Sequence, residues 1–417
     1  MKVDIRKIAI IIIGFLYIYV PPLFPISTTV VLSVLFILYC FVNIGYMQSH
    51  INMKALLCTV WCYILMLGYL ICVSIMSGRS ILEAIMTQRT KIYILTYTIS
   101  GMLCMLCMIK KGEYTKKQIW EIVITIGMAQ AILAGIAYAF DPFQTVLCNM
   151  IKNIMPAEDV DYWRNWRLYG LSCSLTYGMP IVQAIIGGLA CIYAKSYNAK
   201  YYLYALIIWA TGIMNARVAI VVIAIEILAY LVSRLKYLPK GTVKKSTLAI
   251  FAGMFLGCII GICAIFQKSV DISRITDPFL EIFTLLKGNV EFKTNGYLAY
   301  LYLDPKALAL PVENKLIFGA GITNDISDIG YIINLWAGGI IYSIVLYLFY
   351  LLLLVNWRRT LRHASYVSKY VPVIYGIVLF VVNIKGDAFG GISEFINLLY
   401  LLMGLSAYTN VSKVLRE

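Results

Sequence analysis

Residues 329–355 read IGYIINLWAGGIIYSIVLYLFYLLLLV, and no charged side chain falls between Asp328 and Arg358. A helix needs about 20 predominantly apolar residues to cross the hydrocarbon core of a bilayer. This run is long enough, and its flanks differ in sign, with Asp325 and Asp328 before it and Arg358-Arg359 after it. In lipid an isolated segment satisfies its backbone only by coiling into a helix, so the run reads as a transmembrane helix.

Outward from this stretch the same pattern recurs. Apolar runs bounded by breakers lie at about 8–24, 27–47, 55–76, 92–109, 119–140, 174–194, 201–215, 217–235, 247–266, 329–355, 371–385 and 392–409. Of the 417 residues, 61% are hydrophobic and 13% charged, against roughly 45–50% and about 25% in a soluble domain. Mean hydropathy is +0.84. Such a composition excludes a water-soluble globule, a disordered chain and a disulfide-stapled secreted module. The first run follows Lys2, Arg6 and Lys7 and stops at Pro21-Pro22 with no small-residue cleavage site, so it reads as an anchor rather than a removed signal peptide. The expected fold is an all-α, polytopic integral membrane protein of about 12 transmembrane helices, one transmembrane domain over residues 1–417.

A formal charge of +15 resembles a nucleic-acid footprint until it is apportioned by side. With the N-terminus cytoplasmic, the cytoplasmic segments hold 21 of the 35 basic residues and four acids (Asp4, Glu113, Glu121 and Glu417). The outer segments hold the remaining 14 bases and 15 acids, leaving Glu226 within a run. The balance of +17 inside and −1 outside selects an N-in, C-in topology by the positive-inside rule. Two outer connections are long, 141–173 and 267–328, and long ordered connections are usually functional. In the second, Thr276 or Asp277 as N-cap, Pro278 in the first turn and Gly288 after Lys287 predict a short helix over 278–287. Residues 296–303 suggest another at the membrane interface.

Most of the 11 cysteines lie within the runs and read as small apolar residues. Cys104 and Cys107 have no second ligand pair for zinc. Cys148 and Cys173 fall near the outer face, where an oxidising compartment permits pairing. Both histidines, His50 and His363, are cytoplasmic, so no histidine serves an outer site.

Against a neutral outer face, a few charges stand out. Arg217 sits in Asn215-Ala216-Arg217 at a tight turn between two runs. It is read either as an arginine snorkelling at a span end or as a guanidinium fork aimed at a lipid-linked phosphate. Arg164 and Arg167, with Trp163 and Trp166, close the first long loop and suit headgroup contact or anion binding. Asp325 and Asp328 precede the tenth run, as caps on its N-terminus or as acceptors of a proton from a sugar hydroxyl. Glu226 lies roughly 13 Å along the helix from Arg217 and is either a structural acid or a functional intramembrane carboxyl.

These residues, in this order, resemble the O-antigen polymerase (Wzy) and O-antigen ligase superfamily of bacterial surface-polysaccharide enzymes. Arg167-Leu-Tyr-Gly170 through Tyr177-Gly178 is similar to that family's arginine, ten residues, glycine pattern before a span. Thr211-Gly212 through Asn215-Ala216-Arg217 resembles its T-G-x-x-x-S-R turn, with alanine where serine is frequent. Leu316-Ile-Phe318-Gly319-Ala-Gly321, Ser327-Asp328-Ile-Gly330-Tyr331 and Gly338-Gly339 resemble the passage that closes its large periplasmic loop. The match is confined to short motifs within about 160–345. The ligase branch has a histidine near the end of that loop; this chain has Asp328 there, which favours the polymerase branch. A second arginine–glycine repeat is missing, since Arg274 is that loop's only arginine, with Lys293 as a candidate substitute.

The resemblance implies a membrane glycosyltransferase of lipopolysaccharide or related polysaccharide biosynthesis. It would sit in the bacterial inner membrane and join undecaprenyl-diphosphate-linked repeat units at the periplasmic face. It implies no cofactor and no metal, because the energy lies in the sugar–diphosphate bond, and it implies a chain-length regulator protein as partner. Arg217 and Arg167 would stabilise the departing diphosphate, and Asp328 would orient or deprotonate the acceptor hydroxyl. Arg164, Arg89, Lys91, Arg274, Lys293 and Asp325 would bind substrate. The competing classes are an O-antigen ligase and a lipid-linked oligosaccharide flippase or other secondary transporter, the latter usually built on repeats and broken helices.

Overall fold

Helices form along the apolar runs, with a side-chain cap at some N-termini and none at others. The structure, a computed structural model, describes residues 4–23, 27–152, 158, 160, 170–172, 177–216, 218–235, 308–322, 327–361, 370–391 and 393–408. Among these residues the regular elements are all helical and no strand occurs. In chain order they are α1 Ile5–Tyr19, α2 Thr28–Val42, α3 Ile44–His50, α4 Met53–Met76 and α5 Ile81–Thr87. Then come α6 Arg89–Lys111, α7 Lys116–Ala139, α8 Asp141–Ile151, α9 Gly178–Ser196, α10 Lys200–Asn215 and α11 Val218–Leu235. The last are α12 Asn314–Phe318, α13 Gly330–Thr360, α14 Val371–Val382 and α15 Glu394–Met403.

A helix occupies each apolar run read from the sequence except 247–266, which lies outside the described residues, as do the expected helices at 278–287 and 296–303. Among the described residues five helices (α4, α6, α7, α9 and α13) are long and apolar enough to cross a membrane, and α2 with α3, bent by 74°, makes six if that pair is one span. One expectation changes. Residues 141–173 are not all loop: α8 begins with Asp141-Pro142, which suit a first turn, and it buries Leu147, Cys148 and Ile151 at helical spacing. Between α4 and α6, the short α5 is opened by a capping box of Ser80 and Glu83.

Burial separates centre from periphery. All ten residues of α15 are buried, and α9 is buried along most of its length. These two helices pack on each other, α9 also against α7, α10 and α11, and α15 also against α1 and α6. At the periphery Leu35, Phe41, Trp61, Leu65 and Leu352 are exposed on long apolar helices, the arrangement expected where lipid replaces water.

Polar contacts gather at two opposite ends. At one, the starts of α1 and α7 meet the ends of α6 and α9: Lys7 pairs with Glu121 at 3.1 Å, Tyr193 donates to Glu121 at 2.8 Å, and Tyr114 donates to Asp4 at 3.2 Å. At the other, the starts of α6, α9, α13 and α15 meet the end of α14, and the candidate site is there.

Two irregular helices shape that second end. In α6 the turn Ile94–Ile99 is a π-helix, a form frequent at functional sites. It packs on α1 and α15 through buried bonds: Tyr17 donates to Thr98 O at 2.9 Å, Tyr97 to Leu16 O at 2.7 Å, and Asn397 to Tyr17 O at 3.0 Å. α13 breaks at Gly339, whose φ of 69° and ψ of −168° are not helical. The break releases carbonyls that the helix would otherwise bond, and the segment after α12 takes them: Ala320 N donates to Trp336 O at 2.8 Å and Gly321 N to Ala337 O at 3.1 Å. The contact needs glycine on both sides. A Cβ on Gly339 would meet Ile317 O at 2.2 Å, and one on Gly319 would meet Gly338 Cα at 2.5 Å. The two glycine pairs quoted above, 319/321 and 338/339, are thus one junction in three dimensions.

Candidate functional site

The site grows from the start of α6. Residues 88–91 begin the helix just after a connection, and Gln88 and Lys91, one turn apart, face inward while Arg89 is exposed. Lys91 is 2% exposed. A lysine is almost never buried without a partner, and its partner is Asp387, in the connection between α14 and α15, with which it interacts electrostatically. The ammonium makes no hydrogen bond with a described residue, so its donors are available to an anion.

Asp387 is held in place from two elements. Its Oδ1 accepts from Gly390 N at 2.8 Å and from Asn334 Nδ2 on α13 at 3.3 Å. Burial pushes the Asp387 carboxyl above the usual carboxylate range, and the nearby Lys91 charge pulls it back. The connection itself is clamped: Asn383 Oδ1 accepts from Ala388 N at 2.9 Å, Gly330 N donates to Asn383 O at 2.9 Å, and Tyr177 donates to Val382 O at 2.7 Å. Gly391 brings this loop against Thr90, where an added Cβ would lie 3.2 Å from the threonine Cβ. Four chain segments therefore enclose one pair of opposite charges, with Lys91 buried and Asp387 half-buried. Buried polar atoms without a hydrogen-bond partner accumulate around it, among them both side-chain amide atoms of Gln88 and Oδ1 of Asn334. Unsatisfied polar groups cost stability, so a cluster of them is where a polar ligand is expected to bind.

Of the residues expected from sequence, Lys91 lies in this site. Asp328 is exposed at its rim, two residues before Gly330. Arg89 shares the first turn of α6 but points away from the Lys91–Asp387 pair. Arg164, Arg167, Arg217, Arg274, Lys293, Asp325 and Cys173 lie outside the described residues. The described chain next to them leads to the same end: Ser172 donates to Glu394 at the start of α15, and Asn215 contacts Met179 in the first turn of α9 at 3.6 Å. Cys148 is buried on α8. No group of three metal-ligating side chains occurs among the described residues.

Sequence reasoning overlooked Asp387 and Asn334. Asp387 was counted only as one outer acid among fifteen. The available signal was the string Asn383-Ile-Lys385-Gly386-Asp387 and Gly390-Gly391, a polar, glycine-rich break between two apolar runs too long for a minimal turn. Asn334 was hidden inside the very run that decides the fold. A single amide in a long apolar stretch has no local signature, and only the fold shows that it faces a carboxylate. Comparison with known proteins leaves the assignment to this geometry: no protein-family model and no curated protein matches the chain.

Proposed function

We propose that this protein is a polysaccharide polymerase of the bacterial inner membrane, of the O-antigen polymerase type. It spans the membrane about 12 times with both termini cytoplasmic, and its active end faces the periplasm. The observation that carries the reading is Lys91: a desolvated ammonium that makes no hydrogen bond with a described residue, beside a clamped carboxylate, at the end of the bundle that also holds 316–322 and 327–339 of the family-like passage. An ammonium in a water-poor site binds phosphate oxygens far more strongly than one in solvent.

The reaction follows from the charges. The acceptor hydroxyl oxygen attacks the anomeric carbon of the donor glycan, and the bond from that carbon to the diphosphate oxygen breaks. Negative charge builds on the departing undecaprenyl diphosphate, where Lys91, Arg217 and Arg167 neutralise it, with Arg164, Arg89, Arg274 and Lys293 along the approach. The hydroxyl proton passes to Asp328 at the rim, assisted by Asp325. Asp387 is a positioning residue that holds the Lys91 ammonium in the site. No cofactor or metal takes part, and a chain-length regulator is the expected protein partner.

The test is full-length protein in liposomes with one synthetic diphospholipid-linked repeat unit. Polymer ladders are expected. Transfer only onto a lipid-A core acceptor would make the protein a ligase. A second reading, a lipid-linked oligosaccharide flippase or other secondary transporter, draws on the break in α13 at Gly339, since broken helices are common in transporters. Translocation without new glycosidic bonds would establish it and remove the enzyme reading.

A further inference from the structure

A cavity of about 60 Å³ lies away from Lys91, among α9, α10, α11 and the start of α14. Its walls are apolar (Ile185, Leu189, Ile227 and Ile374) and aromatic (Tyr202, Trp209, Tyr370 and Tyr375), and a single carboxyl, Glu226, enters it. Glu226 is 9% exposed, and its Oε2 is buried with no hydrogen-bond partner. No lysine, arginine or histidine lines the cavity among the described residues. Gly188 on α9 makes the room: a Cβ there would come within 2.4 Å of Glu226 Oε2.

We propose that this cavity is a binding site for the ammonium head of an apolar amine, taken up in exchange for the proton of Glu226. The charge argument is direct. A buried carboxylate that no cation among the described residues faces is expensive, so a proton or an incoming cation must neutralise Glu226. An ammonium supplies the missing charge, the aromatic lining suits a cation, and the apolar walls accept the adjoining carbons. The volume suits a head group and the first atoms of its chain. Half-buried Ile192, Tyr202, Ile227, Tyr370 and Ile374 form the mouth through which the rest of the molecule extends. The other titratable groups lining the cavity are Cys191, Tyr202, Tyr370 and Tyr375.

The experiment uses the full chain in detergent and a lipophilic carbodiimide. This reagent adds to a neutral buried acid: the acid proton moves to a carbodiimide nitrogen, the carboxyl oxygen bonds to the central carbon, and rearrangement to an N-acylurea loses no atoms. One adduct at Glu226 is expected by peptide mass spectrometry, and none in Glu226→Gln. N,N-dimethyloctylamine, which cannot couple to the activated acid, should slow labelling at least tenfold, and octanol should not. Gly188→Ala, which keeps the acid but fills its space, should reduce both labelling and protection. Absence of an adduct at Glu226, or equal protection by octanol, would overturn the proposal. The readout is a labelled carboxyl, so it stands or falls separately from glycosyl transfer.

Discussion

Replacing the Lys91–Asp387 pair by Met and Asn separates its role in stability from its role in chemistry. The two groups attract without direct contact. At an effective dielectric of about 20, unit charges beyond ion-pair contact interact by roughly 3 kcal/mol, which bounds their coupling. Against that stands the desolvation of both ions, several kcal/mol each. Burial leaves the Asp387 carboxyl above the usual range in spite of Lys91, so desolvation is the larger effect for this group. A carboxyl raised in the folded state gives stability that is full below its unfolded value of about 3.9. That stability is lost as pH rises through the folded value. Asp387→Asn should therefore gain on the parent protein through that window and level off above it. Lys91→Met alone should cost up to about 3 kcal/mol at neutral pH, and the cost should fade in acid as Asp387 becomes neutral. The double variant should be at least as stable as the parent, since replacing a buried pair is commonly neutral or stabilising, yet it should form no ladders. Unfolding can be followed by a thiol-reactive dye, with buried Cys104, Cys107 and Cys191 as reporters. If Asp387→Asn and the double variant both lost more than about 2 kcal/mol at neutral pH, the pair would be structural. Ladders at the parental rate from the double variant would remove Lys91 from the chemistry.

Three further outcomes are expected. Arg217→Ala should abolish ladders at normal protein levels, and Arg217→Lys should also be poor because an ammonium cannot form the bidentate fork; ladders from Arg217→Ala would show the assignment to be wrong. Gly339→Ala should cost roughly 3–5 kcal/mol by combining a glycine-only conformation with loss of the Ala320 and Gly321 hydrogen bonds. Dye-detected melting checks this value, and a cost below about 1 kcal/mol would mean that the junction is looser than described. In single-tryptophan proteins reconstituted with brominated lipid, Trp61, 61% exposed on α4, should be quenched, while Trp209 and Trp357, at 3% and 2%, should not. Equal quenching of all three would contradict the periphery assigned to α4.

Helix content was legible locally because the requirement is local. A segment such as 330–357 must satisfy its backbone within itself, so apolar length and breakers announce the helix without reference to its neighbours. The same logic located α4, α6, α7 and α9 to within a few residues, and the split of basic residues proposed an orientation before any packing was known. The charges that stood out in the sequence were Arg164, Arg167 and Arg217, and Lys91 entered only as a secondary candidate beside Arg89.

Partnership, by contrast, is a property of pairs distant in the chain. Asp387 meets Lys91 across nearly three hundred residues of sequence, and Asn334 reaches Asp387 only because Gly330 is bonded to the 383–391 connection. The quoted glycines at 319, 321, 338 and 339 looked like separate motif positions, but close backbone approach makes them one junction. Glu226 had two readings in the sequence, and the fold supplied an apolar cavity with no facing cation among the described residues. The sequence alone determined which segments coil and that lipid is their solvent, since both follow from side-chain polarity along the chain. Only the tertiary structure decided which buried charges are matched and which are not, because electrostatic energy in a low-dielectric interior depends on distances that the linear order does not contain.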